Sequence, residues 1–182
     1  MEIIRKLENA IAKLAKDLPH LPAGGRKWLG ENVWWIVIVG ASITALATII
    51  NLVNLINAIN ALNALSAFIA VGGISTWAIT VAIINMVFVV AQVVVLALAV
   101  QPLMKKQKKG WTLLFLTSII SAIALVVYAV ISLNVVTLLL SLIFGAIFLA
   151  VGLYFLFEIR EEFGSVAKKT EVAKPAEKAA AK

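Results

Sequence analysis

Two carboxamide side chains, Asn85 and Gln92, lie seven residues apart in a stretch of the sequence that contains no charged residue. Seven residues make close to two turns of an α-helix, so both amides project from one face. Further along the chain, Thr117, Ser121 and Tyr128 also share a helical face. Polar side chains in such apolar surroundings are expected to face neighbouring helices rather than lipid.

These five side chains can do two kinds of chemistry. Amides and hydroxyls can form hydrogen bonds between helices and so hold a packed bundle together, which is the leading interpretation. Alternatively, the same groups can line a polar path through the bundle for a small neutral solute or an ion. Solute flux in proteoliposomes that falls when Asn85 and Gln92 are both replaced by leucine would support the second interpretation.

Other chemistries are disfavoured by the residues that the sequence lacks. The chain has no cysteine, so disulfides and thiolate catalysis are excluded. Its single histidine, His20, lies between Pro19 and Pro22, and we expect a solvated side chain rather than a metal ligand. The long apolar stretches carry no ionisable residue of the kind that proton relays and ion-coupled transport need. We therefore predict no enzymatic activity and no cofactor.

Composition and charge placement predict a membrane protein. Of the 182 residues, 63% are hydrophobic, and the mean hydropathy is +1.05, whereas soluble domains are about 45–50% apolar. Every Asp, Glu, Lys and Arg falls in residues 1–31, 105–109 or 158–182. Since Lys and Arg mark the cytoplasmic side of a span, we expect an even number of spans between successive charged blocks. The fold class is thus an all-α polytopic membrane protein with both termini in the cytoplasm.

The lengths of the uncharged runs give the number of spans. As one straight helix, residues 111–157 would reach about 70 Å, more than twice the roughly 30 Å of the hydrocarbon core. Each uncharged run therefore folds back once, which predicts a four-helix transmembrane domain over residues 33–157. The predicted helices are 33–50, 77–100, 111–131 and 135–157, with an outer turn at 132–134 and a cytoplasmic loop over 101–110 that contains Pro102.

Asparagine recurs at every third position just after the first predicted span. A fifth span here would put the lysine-rich block outside, so we place residues 51–70 at the outer membrane face, as an amphipathic helix. One side of this helix carries Asn54, Asn57 and Asn60. These amides suit an interfacial surface, a protein-binding face or the vestibule of a pore. Whether residues 51–70 continue the first span or lie along the surface is left open, and the glycines of 71–76 predict a turn.

The two ends of the chain form separate elements. Residues 1–18 have apolar residues at helical spacing with basic residues between them, which predicts a cytoplasmic amphipathic helix on the inner leaflet, on a partner or on a second copy. Residues 19–32 are predicted to be a Pro/Gly linker, and 158–182 a mostly disordered tail. Lipid headgroup contacts are expected from Lys105, Lys106, Lys108, Lys109, Trp34 and Trp35.

The predicted function follows from packing rather than from catalysis. We expect a structural, accessory or self-assembling subunit that acts through helix packing. The alternative is a pore or carrier for a small solute, lined by the Asn85 and Gln92 stripe. The expected partners are the lipid bilayer and either another membrane protein or a second copy, with no nucleic acid. The expected location is the plasma (inner) membrane of a prokaryotic cell.

Overall fold

The computed structural model describes residues 2–66, 76–131 and 135–163 of the chain. Regular structure in these ranges is entirely helical, which confirms the predicted all-α class. The elements are α1 (Glu2–Ala15), α2 (Ala23–Ser66), α3 (Thr76–Met104), α4 (Lys108–Ile131), α5 (Val135–Glu158) and a 3₁₀ helix (Arg160–Glu162). Outside the described residues lie most of the predicted turn at 71–76, the outer turn at 132–134 and nearly all of the predicted tail.

Four of these helices are long and apolar enough to cross a membrane, as predicted, and the chain is an integral membrane protein. Their apolar spans are Ala23–Ala61, Ile79–Met104, Lys108–Ile131 and Leu138–Glu158. At the α-helical rise, 24 residues of α4 extend about 36 Å, which exceeds the roughly 30 Å hydrocarbon core.

Helix α2 is much longer than the predicted first span. It contains 44 residues, which corresponds to about 66 Å. It starts at Ala23, inside the predicted linker 19–32, because both prolines precede it and the paired glycines fall in its first turn, where backbone N–H groups lack helical partners anyway. At its other end α2 runs without interruption into the asparagine-rich segment. Residues 51–66 are therefore a continuation of the helix that contains the first span, and not a separate helix as predicted.

The connection between α3 and α4 is shorter than the predicted loop over 101–110. Pro102 lies inside the last turn of α3, where its missing N–H removes a single helical hydrogen bond. Lys106 adopts a positive φ of 47°, and its backbone N–H donates to the Leu103 carbonyl at 2.9 Å. Gly110 permits this tight turn, because a Cβ there would lie 2.7 Å from the Leu103 backbone nitrogen.

Consecutive helices pack side by side, α2 on α3, α3 on α4 and α4 on α5, whereas α2 and α5 make no extended contact within the described ranges. We call the end where α2 and α4 begin and α3 and α5 end the base. The best-packed part of the molecule lies there. Its buried side chains are Val33, Ala99, Leu103, Trp111, Leu114, Phe115, Leu156, Ile159 and Phe163.

Helix α1 packs against the base of its own chain. Glu8 is buried and forms an ion pair with Arg160 (Oε1 to Nη2, 2.6 Å). Ile4 and Ile11 pack against the buried cluster, while Leu14 on the neighbouring strip of the helix is 73% exposed. From the sequence, we expect α1 on the inner leaflet, on a partner or on a second copy. The structure differs because the apolar stripe is wide enough to serve two surfaces.

Candidate functional site: an intramembrane cavity

A cavity of about 700 Å³ lies among α2, α3, α4 and α5. This volume is within the range of small-molecule sites. All five polar residues singled out in the sequence line it: Asn85, Gln92, Thr117, Ser121 and Tyr128. The structure thus brings together, in one place, two polar faces that the sequence shows only on separate helices.

The four helices line the cavity over different lengths. Its lining on α4 runs from Leu114 to Tyr128, about 21 Å along the helix, and on α5 from Gly145 to Leu156, about 16 Å, with Ile159 just beyond the end of α5. Helix α2 contributes only residues from Leu29 to Val37, near the base. Further from the base only α3, α4 and α5 line the cavity. Helices α2 and α5 make no extended contact among the described residues, so α2 leaves the part of the cavity away from the base uncovered.

The base closes one end of the cavity. Leu114, Leu156 and Ile159 both line the cavity and belong to the buried cluster. Beneath them, the buried indole N–H of Trp111 donates to the Leu156 carbonyl at 2.7 Å. The Trp111 ring also stacks on Phe115, with 5.5 Å between the ring centroids. These contacts make the floor a well-packed aromatic layer rather than a passage to the charged end.

Part of the polar lining is already hydrogen-bonded. The Ser121 hydroxyl lies 3.1 Å from Gln92 Oε1 and 3.0 Å from the Thr117 carbonyl, and it has one proton for these two acceptors. The Thr117 hydroxyl donates to the Leu113 carbonyl at 3.1 Å. The Thr117 hydroxyl is therefore hydrogen-bonded within α4, while the contact between Ser121 and Gln92 connects α4 to α3.

Two other polar side chains in the cavity lack the hydrogen bonds that Thr117 and Ser121 make. Neither the Asn85 carboxamide nor the Tyr128 hydroxyl is hydrogen-bonded to another described residue, and both line the cavity. An unsatisfied polar group in the hydrocarbon region costs several kcal/mol. These two groups therefore offer donors and acceptors to a molecule that fills the space.

Most of the remaining lining is apolar and was not foreseen from the sequence. Phe148, Phe155 and Leu125 contribute hydrophobic surface. A Cβ at Gly145 would lie 2.6 Å from Leu125 Cδ1, so this glycine lets α5 approach α4 closely. A Cβ at Gly152 would meet nothing within 4 Å, so this position simply leaves the cavity wide.

The other predicted site residues lie outside the cavity. Asn54, Asn57 and Asn60 are exposed on the part of α2 away from the base. At the base, Lys105, Lys108 and Lys109 are exposed, and Lys106 Nζ lies 3.5 Å from Glu31 Oε1. Trp34 packs against the buried cluster. Trp35 is 39% exposed and donates its N–H to Asn32.

One charged contact was missed by the sequence analysis. The side chain of His20 is exposed, and its Nδ1 lies 2.6 Å from Oε1 of the buried Glu158. The second oxygen of that carboxylate accepts the Leu21 backbone N–H at 2.9 Å. The available signal was Glu158 itself, the first charge after a long apolar run, which needs a partner where the span ends.

Among the described residues, no three His, Asp or Glu side chains lie close enough together to hold a metal ion. No protein-family model, curated protein or solved structure matches the chain.

Proposed function

We propose that this integral membrane protein binds a small amphiphile in the intramembrane cavity and acts as a carrier for it. The observation that supports this function is the pair of free polar groups, Asn85 and Tyr128, in an otherwise largely apolar cavity. Small-molecule sites typically combine such an apolar lining with a few polar groups that fix the orientation of the ligand.

The shape of the cavity favours a ligand that arrives from the bilayer. The floor at the base is closed by buried side chains, and α2 leaves the part of the cavity away from the base uncovered. A molecule with one apolar chain and one neutral hydrogen-bonding group would match both the lining and the route. An ion fits less well, because the lining contains no charged side chain. The spans lack the usual acid–base groups, which supports binding rather than catalysis.

A matched pair of glycine substitutions tests this function. Gly152→Phe would fill the cavity, whereas Gly40→Phe places the same ring on an exposed face of α2, where a Cβ also meets nothing within 4 Å. The probe is a fatty acid carrying a photoreactive diazirine, added to the protein in phosphatidylcholine nanodiscs at about pH 5, where the apolar surroundings of the bilayer keep its carboxyl group protonated and neutral. We expect the labelling of Gly152→Phe to fall about tenfold, equivalent to about 1.4 kcal/mol, and that of Gly40→Phe to equal the parent. Equal labelling of all three proteins would refute the proposal.

The orientation that we propose places the base in the cytoplasm of a prokaryotic cell, with the spans in its plasma membrane. The support is the concentration of lysine and arginine at the base and the uncharged opposite end. A membrane-impermeant amine reagent should label the exposed Lys108 and Lys109 only after cells are permeabilised. Labelling of these lysines in intact cells would contradict this orientation.

A second candidate function is that of an accessory or self-assembling subunit. It is supported by the length of α2, which exceeds α5 by 20 residues (44 against 24), and by the exposure of Asn54, Asn57 and Asn60. Cysteine placed at Asn57 should then cross-link to a fixed partner or a second copy in native membranes, and cysteine placed at the exposed Ile43 should do so much less. Equal yields at the two positions would argue against this candidate.

A further inference from the structure

A second, smaller cavity of about 150 Å³ lies at the base, where α1, the start of α2 and the end of α5 meet. Such a space has room for about five water molecules at their bulk volume. Its polar lining is almost entirely charged: Lys16, His20, Arg26, Glu158, Arg160 and Glu161. This base cavity is separate from the intramembrane cavity, with which it shares none of its lining residues.

Two of the charged groups in the base cavity are already partnered. The Glu158 carboxylate accepts from the Leu21 backbone N–H and contacts His20, so both its oxygens are used. Arg160 donates a hydrogen bond from one guanidinium nitrogen to Glu8, and its guanidinium carbon lies 5.7 Å from the centroid of the Trp111 ring. Since a guanidinium has five N–H donors in a fixed plane, Arg160 is held in place with donors to spare.

The two other cations have spare binding capacity. Neither Lys16 nor Arg26 forms a direct ion pair in the described ranges, although Arg26 lies near enough to Glu158 to attract its carboxylate at longer range. Lys16 directly follows the last residue of α1, whereas Arg26 lies in the first turn of α2, and both line the same small space. Lys16 and Arg26 thus approach the cavity from separate parts of the chain, beside Arg160, whose position is fixed. A group of cationic donors of this kind suits a compact anion with several oxygen atoms.

We propose that the base cavity binds a phosphate group through Lys16 and Arg26, with Arg160 as the third donor. The position of the cavity is consistent with a phospholipid headgroup, because the apolar span of α5 ends at Glu158, which lines it. Free phosphate, or a soluble phosphate ester, has the same chemistry. Either source would connect α1 to α2 and α5 through one anion.

The experiment compares two charge-neutralised variants in phosphatidylcholine nanodiscs. Lys16→Gln with Arg26→Gln removes both free donors. Lys13→Gln with Lys27→Gln removes two exposed cations, one from α1 and one from α2, neither of which lines the cavity. One arm titrates inorganic phosphate and measures the thermal unfolding midpoint. The other arm replaces part of the phosphatidylcholine with phosphatidic acid and counts retained lipid by native mass spectrometry. The conservative variant Arg26→Lys and the circular dichroism of each protein check that the fold is intact.

We expect the cavity variant to bind at least one of the two probes about tenfold more weakly than the parent. The Lys13 and Lys27 variant should bind both probes within about twofold of the parent, because its lysines contribute only diffuse attraction. Loss in the phosphate arm alone assigns the site to a soluble anion, and loss in the lipid arm alone assigns it to a headgroup. Unchanged binding by the cavity variant in both arms, or an equal loss in both variants, would overturn the proposal.

Discussion

The hydroxyl of Ser121 lies 3.1 Å from the side-chain oxygen of Gln92, and this contact joins α4 to α3 inside the intramembrane cavity. About two turns away on the same helices, Asn85 and Tyr128 have no such partner among the described residues. The polar stripe therefore divides into a part that holds two helices together and a part that is free to bind. The packing and solute-path interpretations of the stripe are thus compatible, since they apply to different residues.

This division predicts different phenotypes for two amide substitutions. Asn85→Leu should weaken labelling by the diazirine fatty acid about tenfold and leave stability unchanged or slightly higher, because it removes a free polar group from an apolar region. Gln92→Leu should lower stability by about 0.5–2 kcal/mol, because it breaks the bond with Ser121. Labelling and unfolding in mixed micelles measure the two effects. Identical phenotypes for the two variants would show that the division is wrong.

The ion pair between Glu8 and Arg160 should hold α1 on the base. Glu8→Gln replaces a buried carboxylate, and we expect α1 docking to weaken by about 1–2 kcal/mol, since Arg160 is partly exposed and water screens part of the loss. Hydrogen exchange of the α1 amides would then speed up about tenfold. The control is Glu2→Gln, which breaks an exposed pair with Lys6 in the same helix and should have no measurable effect. Unchanged exchange in Glu8→Gln would mean that apolar contacts alone hold α1.

The indole N–H of Trp111 should contribute to the stability of the base. Trp111→Phe keeps an aromatic ring but loses the buried bond to the Leu156 carbonyl, at a cost of about 1–3 kcal/mol. Trp35→Phe is the matched control, because its N–H bond to Asn32 is exposed and lies within one helix. Detergent unfolding followed by circular dichroism would compare them. A larger loss in the Trp35 variant would contradict the buried packing described at the base.

Two glycines should respond in opposite directions to alanine. Gly110→Ala would place a methyl group against the Leu103 backbone, and we expect a loss of about 1–3 kcal/mol from overpacking. Gly40→Ala has open space around the new methyl group and should stabilise α2 by about 0.5–1 kcal/mol, through helix propensity. Thermal unfolding of both variants in one detergent measures the signs. A stable Gly110→Ala protein would show that the α3–α4 turn relaxes more easily than its geometry indicates.

The number and position of the spans could be predicted from the sequence because hydrophobic length and charge placement are local signals. The true length of α2 could not be predicted in this way. Its asparagines are polar enough to indicate a helix at the surface, yet no residue near position 51 breaks a helix, and nothing in the local pattern distinguishes a bend from a straight continuation. The docking of α1 was also hidden, because Glu8 and Arg160 are 152 residues apart in sequence.

The candidate site, too, could be predicted only in part: its polar lining could be, and its apolar lining could not. Helical spacing grouped the polar residues of each span, and the cavity contains all five. The apolar lining around Phe148, the missing wall on the α2 side and the base cavity depend on how the helices pack against one another. Hydrophobic residues that line a cavity cannot be distinguished by pattern from those that face lipid or fill a core.

The most direct test of the central claim is to map where the diazirine fatty acid attaches to the parent protein. After illumination in nanodiscs, mass spectrometry of the peptides would give the labelled positions. We predict that labelling is concentrated around Tyr128 on α4 and Gly152 on α5, and that excess unlabelled fatty acid competes it away. Labelling spread evenly over lipid-facing positions such as Ile43 and Leu46 of α2, without competition, would contradict a specific site in the cavity.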